Sequence, residues 1–170
     1  MEIWFQDEAR FGQQGSISRM WAIKGTRPRA LRQQQFKYTY LFGAVCPERG
    51  DAVGLLLPYA NTDTMRIHLD YIAQQIPKGK HAMIVLDRAG WHTTKKLKNY
   101  KNLTLLPLPP ASPELNPCEQ IWKHLRRKHL SNRCFATDED LLEACSEAWS
   151  DFADEPEFVT SLCSRDWTDM

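Results

Sequence analysis

Residues 107–128 read PLPPASPELNPCEQIWKHLRRK. Five prolines, at 107, 109, 110, 113 and 117, crowd the first half. Each fixes φ and removes a backbone donor, so neither a helix nor a central strand can run through it. Beyond Pro117 the pattern turns helical. Ile121, Trp122, Leu125 and His129 share one face, while Lys123, Arg126, Arg127 and Lys128 occupy the rest, which predicts a helix over 117–130. Asn116 as N-cap, Pro117 at the first helical position and Glu119 at the third fit a capping box. Stiffening the approach to a helix also fixes where its first-turn carboxylate is aimed. Glu119 therefore has two readings, a cap or a functional acid.

The segments upstream supply the frame around that helix. HAMIVLD (81–87) is an unbroken apolar run ending in an acid, as a buried central strand reads, and LTLLPL (103–108) is a second strand. EIWFQDE (2–8) makes a first strand closing at Asp7. YTYLFGAVCP (38–47) and DAVGLLLPY (51–59), joined through Glu48–Gly50, read as an antiparallel hairpin. Residues 9–35 are polar and basic and read as a loop or irregular hairpin. A helix starts at Thr62, with Thr62 as its cap, and a short one is expected from His92 to Tyr100. Thr137 and Asp140 form a capping box before Leu141, Cys145, Ala148, Trp149 and Phe152 at helical spacing. The order is three strands, helix, strand, helix, strand, then helices. It implies an α/β fold whose mixed sheet begins with three antiparallel strands, continues with parallel ones and carries helices on its faces. Ligands of such sheets gather at the carboxyl ends of strands, where Asp7 and Asp87 stand.

The chain has 170 residues, 42% hydrophobic and 25% charged, which suits one soluble domain. No run approaches the roughly 18–20 apolar residues of a membrane span. The opening MEIWFQDEAR has acids where a signal peptide needs a basic region, so a cytoplasmic protein is expected. Five cysteines, with no C-x-x-C, argue against a disulfide framework or a thiolate zinc site.

Charge is divided along the chain. Up to Phe135 there are 21 Lys and Arg against 10 Asp and Glu; from Ala136 a single base, Arg165, faces 11 acids. The reading is a polyanion-facing body over 1–135 and an acidic helical extension over 136–170 packed on the same domain. Within the body, Asp7, Asp87 and Glu119 come from two strand ends and a helix start. Three carboxylates brought together repel one another, and a hard divalent cation is their natural counter-charge. Two such ions can clamp the attacking and leaving oxygens of a phosphodiester. Each acid also has a plainer reading: Asp7 as a turn residue with Glu8 as the acid that matters, Asp87 as a loop start, Glu119 as a cap.

Three blocks, FQDEARFG, VLDRAGWH and LPLPPASPELNPCEQIWKHL, resemble the catalytic domain of mariner-like transposases in their bacterial insertion-sequence branch. The match spans roughly residues 3–130, and SPELNPCEQIW is its most specific part. The resemblance implies a ribonuclease H-like fold and a triad of Asp7, Asp87 and Glu119, binding two Mg2+ ions with Mn2+ as substitute. It also implies DNA strand cleavage and strand transfer at transposon ends. Between Asp87 and Glu119 lie 31 residues, slightly short of the family's usual interval. Glu8, His92 and Asn116 are the expected active-site neighbours, with Arg88 standing where the family often has Asn.

Arg27, Arg29, Arg32, Lys95, Lys96, Lys123, Arg126, Arg127 and Lys128 are the expected DNA contacts, and Trp21 with Lys24–Gly25 matches a family loop. Trp91 and Trp122 read as core. The implied partners are double-stranded DNA, a second copy in a homodimer, and a separate helix-turn-helix chain, because nothing before Ile3 could recognise transposon ends. The expected setting is a bacterial cytoplasm, at the nucleoid when on DNA, with no membrane partner. Two other readings stay open: a non-catalytic transposase-derived DNA-binding or regulatory remnant, and a ribonuclease H-like nuclease.

Overall fold

The computed structural model describes residues 1–12, 23–26 and 37–168. Five strands form one sheet: β1 (Glu2–Gly12), β2 (Tyr38–Cys46), β3 (Asp51–Leu57), β4 (Ala82–Leu86) and β5 (Leu103–Pro107), in the order β3-β2-β1-β4-β5. β1 pairs antiparallel with β2, and β2 with β3, whereas β1, β4 and β5 run parallel. The helices are α1 (Thr62–Gln75), α2 (Cys118–Leu125), α3 (Asp138–Ala153) and α4 (Pro156–Cys163). A π-helical turn, Arg126–Leu130, extends α2, so the helix expected to Leu130 changes its hydrogen-bond pattern after Leu125. Among the described residues, no helix is long and apolar enough to cross a membrane.

Alternation along β1 creates two cores. Phe5, Ala9 and Phe11 face the side covered by α2, α3 and α4; Trp4 faces the side covered by α1. Leu141, Cys145, Ala148, Trp149 and Phe152, the stripe read from the sequence of α3, are all buried in the first core, as are Val159 and Cys163 of α4. The acidic segment thus buries its apolar face against the sheet.

Several local expectations are corrected. β1 runs on to Gly12, so Asp7 lies within the strand rather than at its end. Its parallel pairing with β4 stops at Phe5–Val85, however, and Asp7 still stands at the carboxyl edge of β4. Residues 9–12 belong to β1, and most of the remaining stretch to 35 lies outside the described residues, as do Trp21, Arg27, Arg29 and Arg32. The cap of α1 is Asn61, not Thr62: its side chain accepts from the Asp63 and Thr64 amides at 2.9 and 3.0 Å. Asn is the better N-cap because its short amide reaches those donors from an extended backbone. No helix forms over 92–100. Leu97 is the one aliphatic side chain among residues 93–99, and Thr94 Oγ1 accepts the Lys96 amide, a local turn that competes with helix nucleation.

Two glycines determine how closely the second layer approaches. Gly43 on β2 pairs with Asp7 on one side and with Gly54 of β3 on the other. A Cβ at Gly43 would lie 2.6 Å from Trp122 and 2.7 Å from Trp149; at Gly54 it would lie 2.4 Å from Trp149. The two indoles rest on bare backbone. Gly43→Ala and Gly54→Ala are expected to destabilise the fold by about 1–3 kcal/mol through overpacking, read from urea unfolding midpoints.

On the opposite face, His68 of α1 is fully buried, edge-on to Phe42 at 5.6 Å. Burial pushes its imidazole down to about 3. Folded His68 stays neutral where an unfolded chain would take a proton below pH 6.5, so stability falls as pH drops from 6.5 toward 3. In His68→Leu, the acid limb of a stability–pH curve should flatten by up to about 1.4 kcal/mol per pH unit.

Candidate active site

The carboxylates approach the edge of β4 from three directions. Asp7 comes from β1, Asp87 follows the last residue of β4, and Glu119 sits in the first turn of α2. All three line one cavity of about 380 Å³. Arg88, Asn116 and the proline-rich segment from Leu108 to Pro113 complete its wall. That segment is fixed at its first residue. Leu108 N–H donates to Leu86 O at 2.8 Å, prolonging the β4–β5 pairing, and Arg88 Nε donates to Leu108 O at 2.7 Å. Further along the segment Ala111 has φ +55°, a left-handed conformation that costs a residue with a Cβ roughly 1–2 kcal/mol.

The capping-box reading of Glu119 is corrected. Asn116 N–H donates to Pro113 O at 3.1 Å and is therefore not held by the Glu119 side chain. Asn116 does serve the helix start, since its Oδ1 accepts the Cys118 amide at 3.1 Å. Its Nδ2 reaches across the core to donate to the Gln6 carbonyl at 3.0 Å. This buried amide ties the first turn of α2 to the strand residue preceding Asp7. Glu119, relieved of capping, makes no hydrogen bond or ion pair among the described residues and lies half-buried on the cavity wall.

Asp7 is held by the next turn of the same helix: Trp122 Nε1 donates to its Oδ2 at 2.8 Å. Burial pushes the Asp7 carboxyl up to about 7, against the lowering effect of that indole, with Glu8 and Asp87 adding like charge. Trp122 was expected in the core, and its ring is there; its polar function was missed. The signal was available in the spacing, because residues three apart on a helix share a face, and Glu119 and Trp122 are such a pair.

Asp87 is organised from the other side of the sheet. His92 Nδ1 donates to Asp87 Oδ1 at 2.7 Å and Nε2 donates to Glu8 Oε1 at 2.8 Å. Burial alone would push this imidazole down, but its bonds to Asp87 and Glu8 prevail and raise it to about 9. At neutral pH His92 is thus an imidazolium donating from both nitrogens. The bond to His92, opposed by partial burial and helped by the Ala89 amide at 2.8 Å, lowers Asp87. Both contacts fall on Oδ1. Glu8 also accepts from Gln6 Nε2 at 3.0 Å and Trp91 Nε1 at 3.4 Å. As β1 alternates, Glu8 points to the face opposite Asp7, where it holds His92; it is not on the cavity wall.

The donor chemistry fits a hard divalent cation. The set is all oxygen, and burial pushes the Asp7 carboxyl toward neutrality. Among the described residues, no three His, Cys, Asp or Glu side chains are gathered closely enough to hold one ion together.

Of the expected DNA contacts within the described residues, Lys95, Lys96, Lys123, Arg127 and Lys128 are exposed. Arg126 is half-buried, with its guanidinium 5.1 Å from the Phe11 ring centre.

A family model described as DDE superfamily endonuclease matches residues 2–142. A protein of Sinorhizobium fredii (strain NBRC 101917 / NGR234), described as Uncharacterized protein y4pE/y4sA, is 46% identical over 130 residues, covering 76% of this chain and 96% of that protein. Among solved structures, the Mos1 mariner paired end complex with Mn superposes with a TM-score of 0.72 at 19% identity, covering 95% of this chain and 51% of that one. The Mos1 Strand Transfer Complex gives 0.71 at 18%, covering 95% and 50%. A simian T-cell lymphotropic virus intasome gives 0.52 at 12%, covering 88% and 47%. The chain spans about half the length of these solved structures. They show that its fold is ribonuclease H-like.

Asn116→Ala removes both bonds of the tether and leaves the Gln6 carbonyl and the Cys118 amide without their partner in a buried setting. The expected cost is about 2–4 kcal/mol in urea unfolding.

Proposed function

The chain belongs to the DDE superfamily endonuclease family, and from that membership we propose that it is a transposase catalytic domain that cuts DNA strands at transposon ends and joins them to target DNA. The observation that carries this reading is the meeting of Asp7, Asp87 and Glu119, remote in sequence, on the wall of one cavity at the carboxyl edge of the sheet.

In this reading the three carboxylates hold Mg2+, two ions per site, with Mn2+ able to substitute. When bound, the ions supply positive charge at the attacked phosphate and make a water or a 3′-hydroxyl a better nucleophile. The remaining tasks fall to the protein. His92 and the Ala89 amide occupy Oδ1 of Asp87, which reserves Oδ2 for the cavity. Trp122 fixes Asp7 by one oxygen. Arg88, anchored through Nε, keeps its two Nη groups for the substrate phosphate. The rigid proline wall restricts the approach to Glu119 and so lowers the entropic cost of aiming it.

The basic side chains Lys95, Lys96, Lys123, Arg126, Arg127 and Lys128 would meet the duplex backbone, which positions DNA without reading its sequence. The Mos1 structures are paired end complexes, one with the left transposon end. A homodimer on DNA is accordingly part of the proposal, as is a separate helix-turn-helix chain to recognise the ends.

The test is nicking of labelled duplex DNA in Mg2+. Asp87→Asn and Glu119→Gln should each lower the rate by about a hundredfold or more, with Glu119→Gln leaving the unfolding midpoint close to wild type. Nicking that persists in both variants would overturn the proposal.

A further inference from the structure

Gln6 is connected to each of the three acids. It is fully buried and precedes Asp7 in β1. Its main-chain carbonyl accepts Asn116 Nδ2 at 3.0 Å, the bond that seats the helix carrying Glu119. Its side chain shares the face of Glu8, opposite Asp7, and Nε2 donates to Glu8 Oε1 at 3.0 Å. The bonds then run from Glu8 Oε1 to His92 Nε2 at 2.8 Å, and from His92 Nδ1 to Asp87 Oδ1 at 2.7 Å. The pairing of β1 with β4 ends at Phe5–Val85, so side chains take over where the main-chain ladder stops.

This amide is expensive to bury. Among the described residues Gln6 Oε1 has no hydrogen-bond partner. Turning the amide over would not relieve it, because a carboxylate only accepts and the nitrogen must face Glu8. The surroundings are apolar, with Ala44 in register beside Gln6 and Trp4 two residues before it on the same face. A leucine or methionine would fill similar volume there without a buried unpaired acceptor, so stability alone favours an aliphatic side chain. What the amide supplies is the donor to Glu8. Together with His92 and, at 3.4 Å, Trp91 Nε1, it brings three N–H groups onto one carboxylate oxygen.

We propose that Gln6 is a positioning residue of the carboxylate site: its side chain fixes Glu8, and through Glu8 the His92 ring and the Asp87 carboxylate. It is not on the cavity wall and acts only through these neighbours. The inference rests on the reading above, in which Asp7, Asp87 and Glu119 hold divalent ions for strand cleavage. Residues that orient a ligand from behind typically change metal affinity or activity by 10–100-fold when replaced, and Gln6, two bonds removed from Asp87, belongs at about the lower end of that range.

The experiment uses the full chain with Gln6→Leu and Gln6→Met, which remove the amide and keep the main-chain carbonyl that holds Asn116. Urea unfolding midpoints, Mn2+ affinity by electron paramagnetic resonance, and nicking kinetics are measured on each. The midpoint should stay level or rise, while Mn2+ affinity and kcat fall about tenfold and KM for DNA is unchanged. A part confined to stability moves the midpoint instead, so a lowered midpoint with unaltered Mn2+ affinity overturns the proposal, as does no change in any of the three. In a His92→Asn background, Gln6→Leu should have no further effect on Mn2+ affinity; a second, additive loss would show that Gln6 does not act through His92. If Gln6→Leu folds poorly, Gln6→Met carries the same expectations, and failure of both to fold makes Gln6 a stability residue and overturns the proposal. A wild-type chain that neither binds Mn2+ nor nicks DNA removes the ion and cleavage reading. The crystal structure of Gln6→Leu then still decides the role of Gln6: displaced Glu8, His92 and Asp87 side chains support it, and an unmoved chain of bonds overturns it.

Discussion

The attachment of α2 to β1 is the constraint on which the site depends. It consists of two side chains, one just before α2 and one within it. Asn116 donates to the Gln6 carbonyl, and Trp122 donates to the Asp7 carboxylate. The first bond sets the helix start against the strand, and the second sets the Asp7 carboxylate against the helix. Glu119 lies between the two anchors in sequence, so its place relative to Asp7 is fixed by bonds it does not itself make. The arrangement requires Trp122 to lie almost on the backbone of β2, and the bare Gly43, in register with Asp7, permits it.

A second attachment orders Asp87 from the opposite face. Glu8 neighbours Asp7 in the chain yet points through the sheet to the other side, where it meets His92. Two adjacent acids therefore serve separate purposes because β geometry alternates. Asp7 is partly desolvated, while Asp87 is bonded to an imidazolium. The result is an uneven pair: burial pushes the first carboxyl toward neutrality, and hydrogen bonding keeps the second ionised. An added divalent charge would act most on the first.

The C-terminal helices complete this picture. Trp149 of α3 shares the glycine floor with Trp122, so the acidic segment helps hold the indole that holds Asp7. It also belongs to the core that Phe5 and Phe11 begin. Its exposed acids and its buried stripe are two faces of one amphipathic helix. The charge asymmetry read along the chain reflects the first of these faces only.

Periodicity and turn chemistry in the sequence settled all five strands, the helix with the Thr137–Asp140 cap, the apolar face of α2 and the mixed character of the sheet. These features depend on neighbours within a few residues of one another, which a linear pattern records. The same limit explains the differences: Thr62 reads as a cap as readily as Asn61 does, and the lysine-rich stretch after His92 reads as a helix that its sparse apolar residues cannot support. The three acids stand out in the sequence because their residue types, order and surrounding blocks are carried by the chain itself. Tertiary structure alone decided that Glu119 is released from capping, that Trp122 serves Asp7, that Glu8 turns away to hold His92, and that Arg165 returns beside Glu119. The Glu8–His92 and Trp122–Asp7 bonds join residues 84 and 115 positions apart, and Arg165 and Glu119 come from separate elements to one cavity wall. Local spacing is silent about such contacts, since their geometry exists only once two faces of a sheet have been packed.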